Sequence, residues 1–160
     1  MRVAIIAVGR LKAGPERELV ARYADRVAAT ARNAGFAGFD LREVEESRAA
    51  RATDRKLEEA RAIRAVLAKG TVLAALDETG KSISSEAFAA RLGKERDAGA
   101  PAFTLVIGGP DGLDAELRAS AALAISFGAM TLPHQLVRVL AAEQIYRAVT
   151  ILTGHPYHRG

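Results

Sequence analysis

Apolar residues along this chain follow two rhythms. Unbroken runs at Val3–Val8, Thr71–Leu76, Phe103–Ile107 and Leu123–Phe127 have the length and aliphatic content of buried strands. Phe36–Val44 instead alternates, through Phe39 and Leu41, and predicts a strand with one exposed side. Between these runs, apolar positions recur three and four apart. Pro15 opens a helix that Leu19, Tyr23, Val27 and Thr30 carry to about Ala31, before Asn33 and Gly35 end it. Thr53 is placed to cap a second helix, lined by Leu57, Ala60, Ile63 and Leu67 and closed by Gly70. Ser84 or Ser85 starts a third, with Phe88, Ala89 and Leu92, ending near Gly99. Asp114 caps a short Ala-rich helix to about Ala122. The last helix carries Leu136, Val137, Leu140, Ala141, Ile145, Ala148, Val149 and Leu152, and Gly154 and Pro156 stop it.

Strands and helices therefore alternate throughout. That order predicts an α/β fold, a mostly parallel sheet flanked by helices. No repeat, low-complexity block or long linker divides residues 1–160, so a single domain is expected. The chain has no apolar run long enough to span a bilayer, and its first residues read as a strand rather than a signal peptide. Cysteine is absent, which removes disulfides, thiolate metal sites and cysteine nucleophiles and points to the cytoplasm. The net charge of +4 favours a polyanionic partner such as nucleic acid. Ser47–Lys56 reads as the least structured segment. Its Arg48, Arg51, Arg55 and Lys56 are candidates for phosphate contacts.

In parallel sheets, ligands sit at the carboxyl ends of strands. Three loops qualify: after Leu76, after Ile107 and after Phe127. Gly108-Gly109-Pro110-Asp111-Gly112 lies between a strand and a helix. It is neither a Walker A nor a G-x-G-x-x-G motif. Pro110 lacks an N–H and Asp111 repels phosphate. The loop therefore reads as a backbone approach to a flat uncharged group such as adenine, or as a turn that needs glycine torsions. Asp77-Glu78 is either an acid–base pair or two solvated carboxylates. His155 and His158 have no acidic or thiol partner nearby in sequence, so no metal site is expected. No G-x-S-x-G elbow supports a serine triad. All three histidines, His134, His155 and His158, fall in the last 34 residues or so. Loop and tail together, from Gly128 onward, are the stretch richest in candidate chemistry.

IGGPDG at Ile107–Gly112, TLPHQLVRVLAAEQIYRA at Thr131–Ala148 and the terminal HPYHR at His155–Arg159 resemble the ribosomal RNA large subunit methyltransferase H family, the smallest of the SPOUT class. Ala7-Val8-Gly9 and LDETGK at Leu76–Lys81 agree, so the resemblance spans the chain. It implies a SPOUT-type α/β trefoil knot in the C-terminal half, S-adenosylmethionine as cofactor, a homodimer in the cytoplasm, and no metal or membrane partner. The implied reaction is methylation of N3 of a pseudouridine in 23S rRNA of the large ribosomal subunit. A non-enzymatic ribosome- or RNA-binding protein on the same scaffold is the alternative. Carried over residue by residue, the cofactor-binding positions are Leu76, Gly109, Gly128, Ala129, Met130, Thr131, Leu132 and Pro133. Gly109 is expected against the cofactor, because backbone without a side chain approaches closely. Tyr157, His158 and Arg159 are the expected catalytic residues: Tyr157 as a stacking face, Arg159 for phosphate or a developing oxyanion, and His158 to bond the base or take its proton. The tail is expected to order over the pocket of its own or the partner subunit. His134 is expected to shape its loop.

Overall fold

A computed structural model describes residues 1–159. Five parallel strands form one sheet in the order β2-β1-β4-β3-β5. The strands are β1 (Arg2–Val8), β2 (Gly38–Val44), β3 (Thr71–Ser82), β4 (Ala102–Ile107) and β5 (Leu123–Ser126). The helices are α1 (Pro15–Thr30), α2 (Ala52–Val66), α3 (Ser85–Asp97), α4 (Ala115–Ala119) and α5 (His134–Thr153). β4 is buried at every position, as a strand covered on both faces must be. Alternate side chains feed two cores. Ile5, Ala74, Phe103 and Leu105 pack with residues of α1, α3 and α5 on one face. Ile6, Leu73, Ala75 and Val106 pack with α2 and α4 on the other.

Local signals set the boundaries. Pro15 occupies the first turn of α1. Ser84 accepts the Ala87 amide at 3.2 Å and caps α3. Asp114 accepts the Glu116 and Leu117 amides, each at 3.0 Å, and caps α4, which stops at Ala119. Gly154, with φ 67°, ends α5 in the left-handed conformation.

The start of α2, the place of Leu57 and the end of the third strand differ from expectation. α2 begins at Ala52, inside the segment read as unstructured, and Thr53 is not its cap. The Arg51 carbonyl receives the Asp54 and Arg55 amides, and the Arg51 side chain bonds Asp54 at 2.9 Å. Leu57 faces outward, 40% exposed, rather than lining the core. The third strand extends beyond Leu76 to Ser82. Its Asp77–Gly80 part loops out, so that Ile125 of β5 pairs with both Leu76 and Lys81. At Gly80 a β-carbon would lie 2.5 Å from the backbone of Ile125, so only glycine permits this approach.

Candidate active site

The carboxyl ends of β3, β4 and β5 open on one cleft of about 580 Å³. Its walls are the three loops singled out in the sequence, with His134 and Val137 of α5 behind them. Leu76, Gly109 and Gly128 through Leu132 line it, whereas Pro133 sits just outside as the residue preceding α5. Leu76, Ile107, Leu113, Leu132 and Val137 give the cleft apolar wall, and Lys56, Asp77, Glu78 and Arg118 give it charge. Among the described residues, the amides of Ala129 to Leu132 donate to no group of the chain, while that of Gly128 donates to Ser126 Oγ. Backbone donors left open in a cleft are available to a ligand.

The Ile107–Gly112 loop is a tight turn. Gly112 N donates to Gly109 O at 2.9 Å, and a β-carbon on Gly108 would meet Gly112 carbonyl carbon at 2.7 Å. Glycine at 109 also has an internal reason. Its missing side chain faces inward, where a β-carbon would lie 3.0 Å from Glu59 Oε2 and 3.1 Å from Val8 Cγ1. Burial pushes the Glu59 carboxyl above its usual range, against the Ser47 amide that it accepts. Asp111 is not a bare negative charge. Arg55 donates to both of its oxygens, at 2.6 and 3.0 Å, and holds its carboxyl below the usual range. The same guanidinium bonds the carbonyls of Ala49 and Ala50. Arg55 thus fixes two loops to each other and is not a free phosphate contact.

The tail lies elsewhere. Tyr157 packs edge-on against Tyr146 of α5, ring centres 4.7 Å apart, beneath the Arg147 guanidinium. Its hydroxyl donates to Glu143 Oε1 at 3.0 Å and lies 3.5 Å from that of Tyr23 in α1. Burial first, then those two neighbours, raise its pKa, so the phenol stays protonated. His158 Nε2 is 2.7 Å from Glu86 Oε1 at the start of α3, and its Nδ1 is 3.3 Å from Arg147. Arg159 is exposed. None of residues 155–159 lines the cleft. One protomer therefore gathers the expected cofactor positions other than Pro133, but not the expected catalytic ones.

A family model described as predicted SPOUT methyltransferase matches residues 1–158. The chain belongs to the SPOUT methyltransferase family. Relatives named ribosomal RNA large subunit methyltransferase H are 59% identical in Methylobacterium radiotolerans, over 100% of this chain and 98% of that protein, and 58% in Nitrobacter winogradskyi, over 100% of each. The solved TrmH/SpoU tRNA modifying enzyme of A. aeolicus aligns with 98% of this chain and 81% of its own, at 17% identity and a TM-score of 0.45.

In this SPOUT chain, two arginines near the cleft escaped the sequence reading. Arg118 donates to Thr79 Oγ1 at 2.7 Å, and its Nε lies 3.1 Å from Asp77 Oδ1 without hydrogen-bond alignment. Burial pushes the Asp77 carboxyl up, but the Thr79 hydroxyl and amide and Arg118 outweigh it, and the net shift is down. Asp77 is therefore a structural anion holding the strand excursion. Arg138 is buried in α5. It donates to Glu43 at 2.9 Å, to Gly9 O at 2.9 Å and to Val8 O. His134 also meets Val8 O, at 3.2 Å. Both arginines sit in sequence at unremarkable helical positions, and no local signal marks them. Among the described residues, no three His, Asp or Glu side chains are grouped to hold a metal.

Proposed function

We propose that this protein is an S-adenosylmethionine-dependent methyltransferase acting on N3 of a pseudouridine in 23S rRNA. It works in the cytoplasm as a homodimer, as a single SPOUT domain over residues 1–160 with a trefoil knot in its C-terminal half. The observation that carries this reading is the convergence of three strand-end loops on one cleft, in a chain whose full-length relatives are named for large-subunit rRNA methylation.

The cleft residues fit the cofactor. Leu76, Ile107, Leu113 and Val137 suit an adenine ring, and the open amides of Ala129 to Leu132 suit its polar edges. Leu76, Gly109 and Gly128–Pro133 would hold it there. When bound, S-adenosylmethionine supplies an activated methyl on a sulfonium. The protein's own part is placement. Alignment of reacting atoms is worth about 7–11 kcal/mol, whereas a general base gives only about 10²–10⁴-fold. Tyr157, still protonated and with its O–H given to Glu143, offers a stacking face, not a base. His158 bonds the base or takes the N3 proton, and Arg159 holds phosphate or the uracil oxygen.

The separation of tail and cleft within one protomer favours a two-fold assembly in which each tail serves the partner's cleft. Leu136 and Leu140, one turn apart and 41% and 36% exposed, and Met130 at 84%, leave apolar surface beside the cleft for such an interface. Arg48, Arg51 and Lys56 remain candidates for rRNA phosphates. The experiment is methyl transfer from labelled cofactor to naked rRNA, free large subunits and whole ribosomes lacking the modification. Transfer to at least one, mapped to N3 of a pseudouridine, is expected. No cofactor binding by calorimetry and no transfer to any of the three would refute the reading.

A further inference from the structure

A second, smaller cavity of about 180 Å³ adjoins the cleft, the two sharing Ser126 and Phe127. Its floor is apolar and aromatic, with Phe88, Leu105, Ile125 and Phe127. Its rim is hydroxyl and amide, from serines at the start of α3 and from Gln144 of α5. No lining side chain is ionisable. Such a space disfavours phosphate, which needs charge or several open donors, and suits one neutral heterocycle held by stacking and hydrogen bonds.

Gln144 is the group that can read an edge. Ser85 Oγ donates to its Oε1 at 2.8 Å, and its Nε2 donates to Glu143 Oε2 at 2.8 Å. Those two partners fix which end of the amide is oxygen. Glu143 is itself held by Arg147, at 2.5 and 2.9 Å, and by the Tyr157 hydroxyl. The amide therefore keeps one acceptor lone pair and one N–H, side by side and oriented. That pair matches a ring N–H next to a carbonyl.

We propose that this cavity receives the target base and that Gln144 distinguishes pseudouridine from uridine, an inference resting on the methyltransferase reading above. Pseudouridine joins the sugar through carbon, so its N1 carries a hydrogen. In uridine N1 carries the sugar. Gln144 Oε1 accepts N1–H while Nε2 donates to the adjacent O2. This leaves the N3 and O4 side of the ring free to face the cofactor cleft across Ser126 and Phe127. The amide cannot make the first of these bonds to uridine. Wiring Gln144 through Glu143 to Tyr157 makes the reading edge and the tail one hydrogen-bonded unit.

The test compares ribosomes that lack the methyl and carry either pseudouridine or uridine at the target. Wild-type protein is expected to favour pseudouridine in kcat/KM by about ten- to a hundredfold, the range for a bidentate base contact. Gln144→Leu should abolish the preference for pseudouridine over uridine, leaving the calorimetric cofactor affinity within about twofold of wild type. Ser85→Ala, which frees the amide but keeps it, should lower the preference part-way, and it decides the matter if Gln144→Leu does not fold. A wild-type protein indifferent to the two ribosomes, or a folded Gln144→Leu that keeps the preference, overturns the assignment while leaving the methyltransferase reading intact. A wild-type protein that neither binds cofactor nor methylates either ribosome overturns both.

Discussion

Arg138 offers the sharpest check on how the cleft end of the fold is held. Its side chain is almost fully buried, and its guanidinium joins α5 to the ends of β1 and β2 through Glu43, Val8 O and Gly9 O. Burial depresses its pKa, with Glu43 opposing, but an arginine remains charged at any ordinary pH. Replacing it by Met keeps most of the stem's packing and removes the charge. Two carbonyls and one carboxylate then lose one of their contacts. Val8 O keeps His134 and Glu43 keeps the Leu11 amide, whereas Gly9 O keeps no side-chain partner among the described residues. Breaking a buried pair costs about 3–5 kcal/mol when the remaining charge is shut from water. Here the Glu43 side chain is 29% exposed and also accepts the Leu11 amide at 2.9 Å, so the low end applies, about 3 kcal/mol. For a chain of this length that lowers Tm by roughly 6–12 °C. Thermal and guanidinium melts should agree, with an unchanged m-value. Arg138→Met combined with Glu43→Leu should recover much of the loss, because an apolar pair leaves no stranded charge. A single Arg138→Met costing less than about 1 kcal/mol, or a double variant as unstable as the sum of its singles, would refute this account of the contact.

Other perturbations follow from the same geometry. Gly109→Ala should destabilise by about 1–3 kcal/mol through crowding against Glu59 and Val8. Gly108→Ala should cost more, since its obstacle is backbone, and melts at the wild-type temperature would refute both. The raised Tyr157 pKa contributes stability that is whole below the unfolded phenol's value of about 10 and is lost as pH rises through the folded one. Tyr157→Phe should therefore flatten the alkaline limb of the stability curve, and an unaltered limb above about pH 10 would count against the burial of that hydroxyl. Removal of residues 157–160 should leave cofactor affinity nearly unchanged and reduce methyl transfer at least about a hundredfold. Full activity in the truncated protein would end the catalytic assignment of Tyr157, His158 and Arg159.

The parts of this structure written locally were legible. The caps at Ser84 and Asp114, the stops at Gly35 and Gly154, and the three strand-end loops each depend on residues within a few positions of one another. What was not legible depends on distant chain. Asp77–Lys81 is polar and reads as a loop. It returns to the sheet only because β5 lies beneath it, and the need for Gly80 is visible only from the backbone of Ile125. Arg138 occupies what the helical pattern marks as a polar position, and nothing nearby says that a β1 carbonyl waits 130 residues upstream. The inward face of Gly109 is set by Glu59 from another helix. The tail's residue types mark a concentration of functional groups but not the place where it docks. Its docking site, Tyr23 and Glu86, lies 134 and 72 residues away from Tyr157 and His158 respectively.

The position of that docking site constrains how the proposed enzyme can be assembled. α5 starts at the cleft, with His134 and Val137, and runs 20 residues, about 30 Å at 1.5 Å per residue. The tail then doubles back only as far as Glu143, nine residues short of the helix start and roughly 14 Å along its axis. Reaching its own cleft would require Tyr157 to abandon Tyr146, Glu143 and the Arg147 face together. A partner related by a two-fold axis requires no such release, provided that the apolar surface at Leu136 and Leu140 brings its cleft against this flank of α5. The docked tail then meets the partner's cleft across one interface, already in the place where a single protomer holds it, while the Gln144 cavity adjoins the cleft of its own protomer.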